Sequence, residues 1–157
     1  MFFAYRKSSK MIATVALILA PLLCAGAQAE IQKIYVVFAT HLDIGYTHPV
    51  DRVEMISHRN IDRTIDLCMQ NQDLRYTIEE AWLLRQWLKR TDDPKRIEAM
   101  RKLIQEERIE VCGVYATMHS NALGAEDANQ IAYEGRRLQD ELGFPIVTAM
   151  QNDVPGY

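Results

Sequence analysis

The sequence has only three cysteines in 157 residues, and no two of them stand at zinc-ribbon spacing. It has no internal repeat, no low-complexity tract and no long linker, which excludes solenoid and disordered classes. Past residue 29 it has no apolar run long enough to span a bilayer. It also lacks positive charge there. Arg6, Lys7 and Lys10 fall in the first 29 residues, which leaves 15 Lys+Arg against 21 Asp+Glu, a net of −6. That balance disfavours nucleic acid and anionic membrane partners. The remainder is ordinary for one globular domain, with 48% apolar and 25% charged residues.

The first 29 residues differ in kind. A basic start precedes an almost wholly apolar stretch from Met11 to Leu23, and Ala27-Gln28-Ala29 closes it with small residues. This pattern predicts a secretory signal peptide over 1–29, and a mature chain exported to the periplasm or the exterior without stable membrane insertion. Cys24 is preceded by Pro21-Leu22-Leu23, which lacks the small residue expected ahead of a lipidated cysteine. Of the two remaining cysteines, Cys68 falls on the apolar face of a helical pattern and Cys112 ends an extended run. Buried free thiols are the default for such positions, and a disulfide stays open in an oxidising compartment.

From residue 32 on, extended and helical patterns alternate. Strands are expected at 32–39, 74–78, 108–112 and 146–150. Helices are expected at about 50–70, 79–89, from Pro94 onward and at about 126–142. Val53, Ile56, Ile61, Ile65 and Cys68 form the inner face of the first helix. Ala128, Ile131, Ala132, Gly135, Leu138 and Leu142 form that of the last. Asp93-Pro94 starts one helix and Gly143 stops another. Four strand–helix alternations predict an α/β fold with a parallel sheet.

The residues with chemical potential then collect at the strand ends. His41 and Asp43 follow the first strand in the turn Ala39-Thr40-His41-Leu42-Asp43-Ile44-Gly45-Tyr46. Extended backbone repeats its side-chain direction every second residue, so His41 and Asp43 can face one side as two ligands for a divalent metal, zinc above all. Alone, so short a motif is better read as a turn with a surface histidine and a capping carboxylate. The other ends shift that balance. Glu79 and Glu80 follow the second strand, His119 and Asn121 the third, and Gln151, Asn152 and Asp153 the fourth. In parallel α/β folds those ends form one rim, where sites sit.

These features together resemble the N-terminal catalytic domain of glycoside hydrolase family 38, the α-mannosidases. The likeness runs from about Lys33 to Tyr157. It rests on the His-x-Asp-x-Gly-aromatic turn, the Glu-rich strand end before a Trp-bearing helix, the helix ending Arg136-Arg137-Leu138, and Asp153-Val154-Pro155-Gly156. The spelling His-Leu-Asp-Ile-Gly-Tyr-Thr is nearer to bacterial members than to the animal enzymes. The resemblance implies a partial (β/α) barrel of parallel strands, about four of the family's seven. It implies that His41, Asp43 and Asp153 bind Zn2+, that Asp153 is also the catalytic nucleophile, and that Tyr46 stacks on the sugar of an oligosaccharide or glycoside substrate. His119 is a further candidate for substrate contact.

The implied activity is zinc-dependent, retaining hydrolysis of mannose-containing glycans, which needs a carboxylate nucleophile and a second carboxylic group as acid/base. The family's fourth zinc ligand, a histidine, and its acid/base lie further along than Tyr157. The chain is therefore expected to be an N-terminal fragment with an apolar sheet edge, poor at folding and hydrolysis. His48 and His58 are weak substitutes for the missing ligand, His58 being expected on a solvated helix face. Where family members often carry an acidic residue after strand three, this chain has Met118-His119-Ser120-Asn121. Two other readings remain open: a metal-dependent hydrolase or deacetylase on a related barrel, with Asp153 as base, and an inactive carbohydrate-binding remnant.

Overall fold

The structure, a computed structural model, describes residues 31–154. The expected signal peptide and the Pro155-Gly156 turn lie outside the described residues. The chain divides into two units, Met1–Tyr35 and Val36–Tyr157. Of the first, residues 31–35 hold no helix or strand, and the Lys33 ammonium stands 4.5 Å from the centre of the Tyr35 ring.

The second unit alternates strand and helix. Its elements are β1 (Phe38–Ala39), α1 (Val50–Gln70), β2 (Tyr76–Ile78), α2 (Ala81–Arg90), α3 (Pro94–Gln105), β3 (Ile109–Val111) and α4 (Ala125–Leu142), with a 3-10 turn at Ser120–Ala122. The strands pair in the order β1-β2-β3, all parallel, with Phe38 opposite Tyr76 and Tyr76 opposite Ile109. This is the α/β architecture expected from the alternation.

Local chemistry explains the helix ends. The Asp93 side chain accepts a hydrogen bond from the Lys95 amide at 2.9 Å, and Pro94 fills the first turn, where its missing N–H costs nothing. Gly143 ends α4 in the left-handed conformation, φ 75°. The first amides of α2 donate to strand three's exit, Ala81 to the Val114 carbonyl at 2.8 Å and Trp82 to that of Tyr115 at 2.9 Å. Those donors have no partner within their own helix, so this pairing fixes the start of α2 on the sheet.

The core lies between the sheet and the helices. Ile78, Ile109 and Val111 pack with Val53, Ile61, Ile65 and Cys68 of α1, Leu84 and Trp87 of α2, Met100 and Leu103 of α3, and Leu138 of α4. Trp87, 1% exposed, donates its ring N–H to Asp62 at 3.1 Å, so this side chain buries no orphan donor. Arg108 donates to the carbonyls of Cys68 and Asn71 and closes the C-terminal end of α1. Cys68 and Cys112 are both buried and unbridged.

Four expectations are corrected. The strand expected at 32–39 shortens to Phe38–Ala39, because β2 offers only three residues to pair with; Ile34, Val36 and Val37 are exposed. The fourth strand, 146–150, reduces to one parallel bridge from Thr148 to Cys112, and Val147 is 87% exposed. Ala128 and Ala132 of α4 are exposed rather than inward, since no described element packs over them. His58 is not on a solvated face. It lies half-buried, 6.4 Å from the Trp87 ring, with Asp62 at 3.4 Å and the Thr91 hydroxyl at 3.3 Å.

Candidate metal centre

The site begins with how β1 ends. Tyr76, opposite Phe38 in the sheet, donates its hydroxyl to Thr40 Oγ1 at 2.7 Å. This pins the backbone one residue before His41. The chain then turns sharply. Gly45 adopts φ 82°, a left-handed conformation that suits glycine, and donates to the His48 carbonyl at 3.1 Å. The Thr47 hydroxyl donates to Asp43 Oδ2 at 3.3 Å. Histidine and aspartate therefore project from a closed turn.

His41 Nε2 lies 3.5 Å from Asp43 Oδ1. Asp153 joins them: one ligand atom from each of His41, Asp43 and Asp153 lies within 4.8 Å of the others. The three come from the turn after β1 and from the segment after the Thr148 bridge, more than a hundred positions apart. Asp153 takes φ 56°. Aspartate tolerates that region better than most residues, at a cost of about 1 kcal/mol. The segment carrying it is tied to the loop after β3, for Gln151 donates to the Met118 carbonyl at 2.5 Å.

On its other side His41 meets Glu79. Nδ1 stands 2.9 and 3.0 Å from the two Glu79 carboxylate oxygens, and Glu79 is 2% exposed. That hydrogen bond raises the His41 pKa above its ordinary value; the charges of Glu79, Asp43 and Asp153 add to it against partial burial. Sequence reasoning put Glu79 at the rim and gave it no role. The signal was there, a carboxylate at the end of the strand beside the histidine's own, but the pairing depends on register. Glu80 turns the other way and accepts from the Thr117 amide at 2.7 Å.

The donor set suits a divalent cation. Three carboxylates surround one imidazole, Glu79 at Nδ1, Asp43 beside Nε2 and Asp153 within reach of both ligands, and mixed N and O donors are what zinc takes at an open site. Tyr46, on the same turn, is 91% exposed. His119 is exposed in the loop after β3, next to the Met118 carbonyl that Gln151 holds. Neither makes a hydrogen bond or ion pair with the cluster among the described residues. His48 is half-buried and contributes its carbonyl to the turn. A separate cleft of about 480 Å³, lined by Arg52, Met55, Ile56, His58, Arg59 and Arg90, includes none of the cluster.

A parallel α/β domain with an imidazole and two carboxylates on its strand-end rim defines a candidate metal-dependent domain. Its family follows from comparison with known proteins. The profile of the glycosyl hydrolases family 38 N-terminal domain matches residues 31–157, and the chain belongs to that family. Among solved structures, an α-mannosidase from Enterococcus faecalis V583 is similar at 18% identity and TM-score 0.61, over 70% of this chain and 12% of that one. A glycosyl hydrolase family 38 protein from Enterococcus faecalis is similar at 16% identity and TM-score 0.57, over 72% of this chain and 13% of that one. At such identities the likeness is one of fold, and the chain spans about an eighth of each structure's length. No curated protein matches.

Proposed function

We propose that this chain supplies the metal-binding face of a zinc-dependent, retaining glycosidase acting on mannose-containing glycans. The observation that carries the reading is the meeting of His41, Asp43 and Asp153 within 4.8 Å. Membership of glycosyl hydrolase family 38 supports the reaction class.

In this reading His41, Asp43 and Asp153 hold the zinc. When bound, zinc supplies Lewis acidity toward the sugar hydroxyls and keeps a nearby carboxylate ionised. As the glycosidic C–O bond breaks and the departing oxygen takes a proton from the acid/base, Asp153 bonds to the anomeric carbon as nucleophile; water then replaces Asp153 there, so configuration is retained. Its exposure and its place at the end of a turn leave it open to a sugar. In this reading the exposed Tyr46 ring stacks on the apolar face of a pyranose and the exposed His119 donates a hydrogen bond to a hydroxyl. The acid/base carboxylic group that this mechanism needs is not assigned to a residue of this chain. Residues 1–29 act as a signal peptide in this reading, which exports the protein to the periplasm or the exterior.

The experiment measures zinc content and covalent labelling together. The full chain is expected to bind one zinc, to lose it in Asp153→Asn, and to yield a glycosyl ester on Asp153 with an activated fluoro-mannoside, seen by peptide mass spectrometry. Zinc-dependent ester hydrolysis with no label on Asp153 would replace the glycosidase with a metal-dependent hydrolase. Sugar binding that survives both Asp153→Asn and chelation would leave a carbohydrate-binding remnant.

A further inference from the structure

We infer that Glu79 is the positioning residue of this centre: it fixes the ring orientation and tautomer of His41 so that Nε2 faces the metal. The inference rests on the zinc reading above and adds a residue to it.

The geometry is two-sided. One ring nitrogen of His41, Nδ1, is bracketed by both Glu79 oxygens at 2.9 and 3.0 Å. The other, Nε2, faces Asp43 at 3.5 Å. An ionised carboxylate only accepts hydrogen bonds, so the proton of the neutral ring belongs on Nδ1. Nε2 then carries the free lone pair, and it points to the side where Asp43 and Asp153 gather. The opposite tautomer would aim a lone pair at two carboxylate oxygens and leave no donor for a buried acid.

Burial gives a second, independent reason. Glu79 is 2% exposed, and a buried carboxylate needs a partner. Among the described residues its one ion-pair partner is His41. The small cavity that Glu79 helps to line, about 10 Å³, has no lysine or arginine in its wall. Glu79 is thus neither a surface acid nor a member of a structural ion-pair network. Its register is set by the sheet: Glu79 directly follows Ile78 of β2, whose Tyr76 pairs with Phe38, three residues before His41. A ligand histidine backed by a carboxylate is more basic and better oriented, and removing such a partner commonly costs about 10–100-fold in metal affinity.

The test uses the full chain and two readouts that need no turnover. In the metal-free protein, a long-range 1H–15N spectrum of the neutral His41 ring is expected to show Nδ1 protonated and Nε2 bare. In Glu79→Gln the two tautomers are expected to mix. Zinc affinity, measured by competition with a chromophoric chelator, is expected to fall about 10–100-fold in Glu79→Gln, with far-UV circular dichroism unchanged. A wild-type ring protonated at Nε2 overturns the inference without needing any variant to fold. Zinc affinity in Glu79→Gln within twofold of wild type overturns it while leaving the metal reading intact. A wild-type chain that takes up no zinc overturns the metal reading, and this inference with it.

Discussion

Gly113 and Gly135 touch backbone to backbone: a Cβ added to Gly135 would stand 2.3 Å from the Gly113 carbonyl oxygen. The contact seats α4 against the exit of β3, where Tyr115 donates to the Ile131 carbonyl at 2.8 Å. It therefore sets the position of the loop that carries His119. No side-chain rotation can relieve that overlap, because the obstacle is main chain. Gly135→Ala is expected to destabilise the fold by about 1–3 kcal/mol, the range of overpacking in a tight site. Urea denaturation followed by circular dichroism measures it. A midpoint equal to wild type would show that α4 is free to move away.

Arg108 holds the end of α1 to the start of β3. Its guanidinium donates to two main-chain carbonyls, those of Cys68 and Asn71, and the residue is 9% exposed. Arg108→Ala strands the Cys68 carbonyl and leaves that of Asn71 with only the Leu74 amide at 3.3 Å, and a loss of about 2–3 kcal/mol is expected for charge-assisted bonds of this kind. Arg108→Lys is expected to recover only part, since an ammonium lacks the planar fork. Thermal melting of the three proteins side by side decides it.

Cys112 should be inert in the folded chain. Burial above all, with Glu110 and Glu79 adding repulsion, pushes its thiol up to about 11. At a pH near 8 about a thousandth of it is thiolate, the form that reacts. Iodoacetamide is expected to leave Cys112 unmodified for hours in buffer and to label it within minutes in concentrated urea. Cys68, also raised by burial, should follow the same pattern. Rapid labelling of the native protein would contradict the burial of this strand end.

The stability of the metal-free chain should depend on pH through His41. Its folded pKa lies above the ordinary 6.5, chiefly through the Glu79 hydrogen bond, so the charged ring favours the folded state. That contribution is full below the unfolded value of 6.5 and is lost as pH rises through the raised folded value. With chelator present, the Tm difference between wild type and His41→Gln is therefore expected to be larger near about pH 5.5 than near about pH 8.5. Zinc binding should show the opposite trend, strengthening as pH rises, because metal and proton compete for the ring.

The helices were the most legible part of the fold. α1 was expected at about 50–70 and runs Val50–Gln70; α4 was expected at about 126–142 and runs Ala125–Leu142. Apolar spacing and caps are local, and a helix satisfies its hydrogen bonds within its own segment. Strands do not. Residues 32–37 have the composition of a strand and none of its pairing, since a ladder exists only where another strand lies alongside. The inward faces show the same limit. Leu138 is buried as its spacing requires, yet Ala128 and Ala132 are exposed, because burial depends on what lies opposite.

The candidate site divides along the same line. By itself the sequence determined the His41-x-Asp43 pair, the glycine that closes its turn, the strand-end rim and the resemblance to glycoside hydrolase family 38, all of which depend on neighbours within a few residues. Only the tertiary structure decided that Asp153 meets that pair, that Glu79 rather than Glu80 backs His41, and that Cys68 and Cys112 stay apart. Those outcomes turn on the register of parallel strands and on which face each strand end presents, and a shift of one residue in either would send every side chain to the other side.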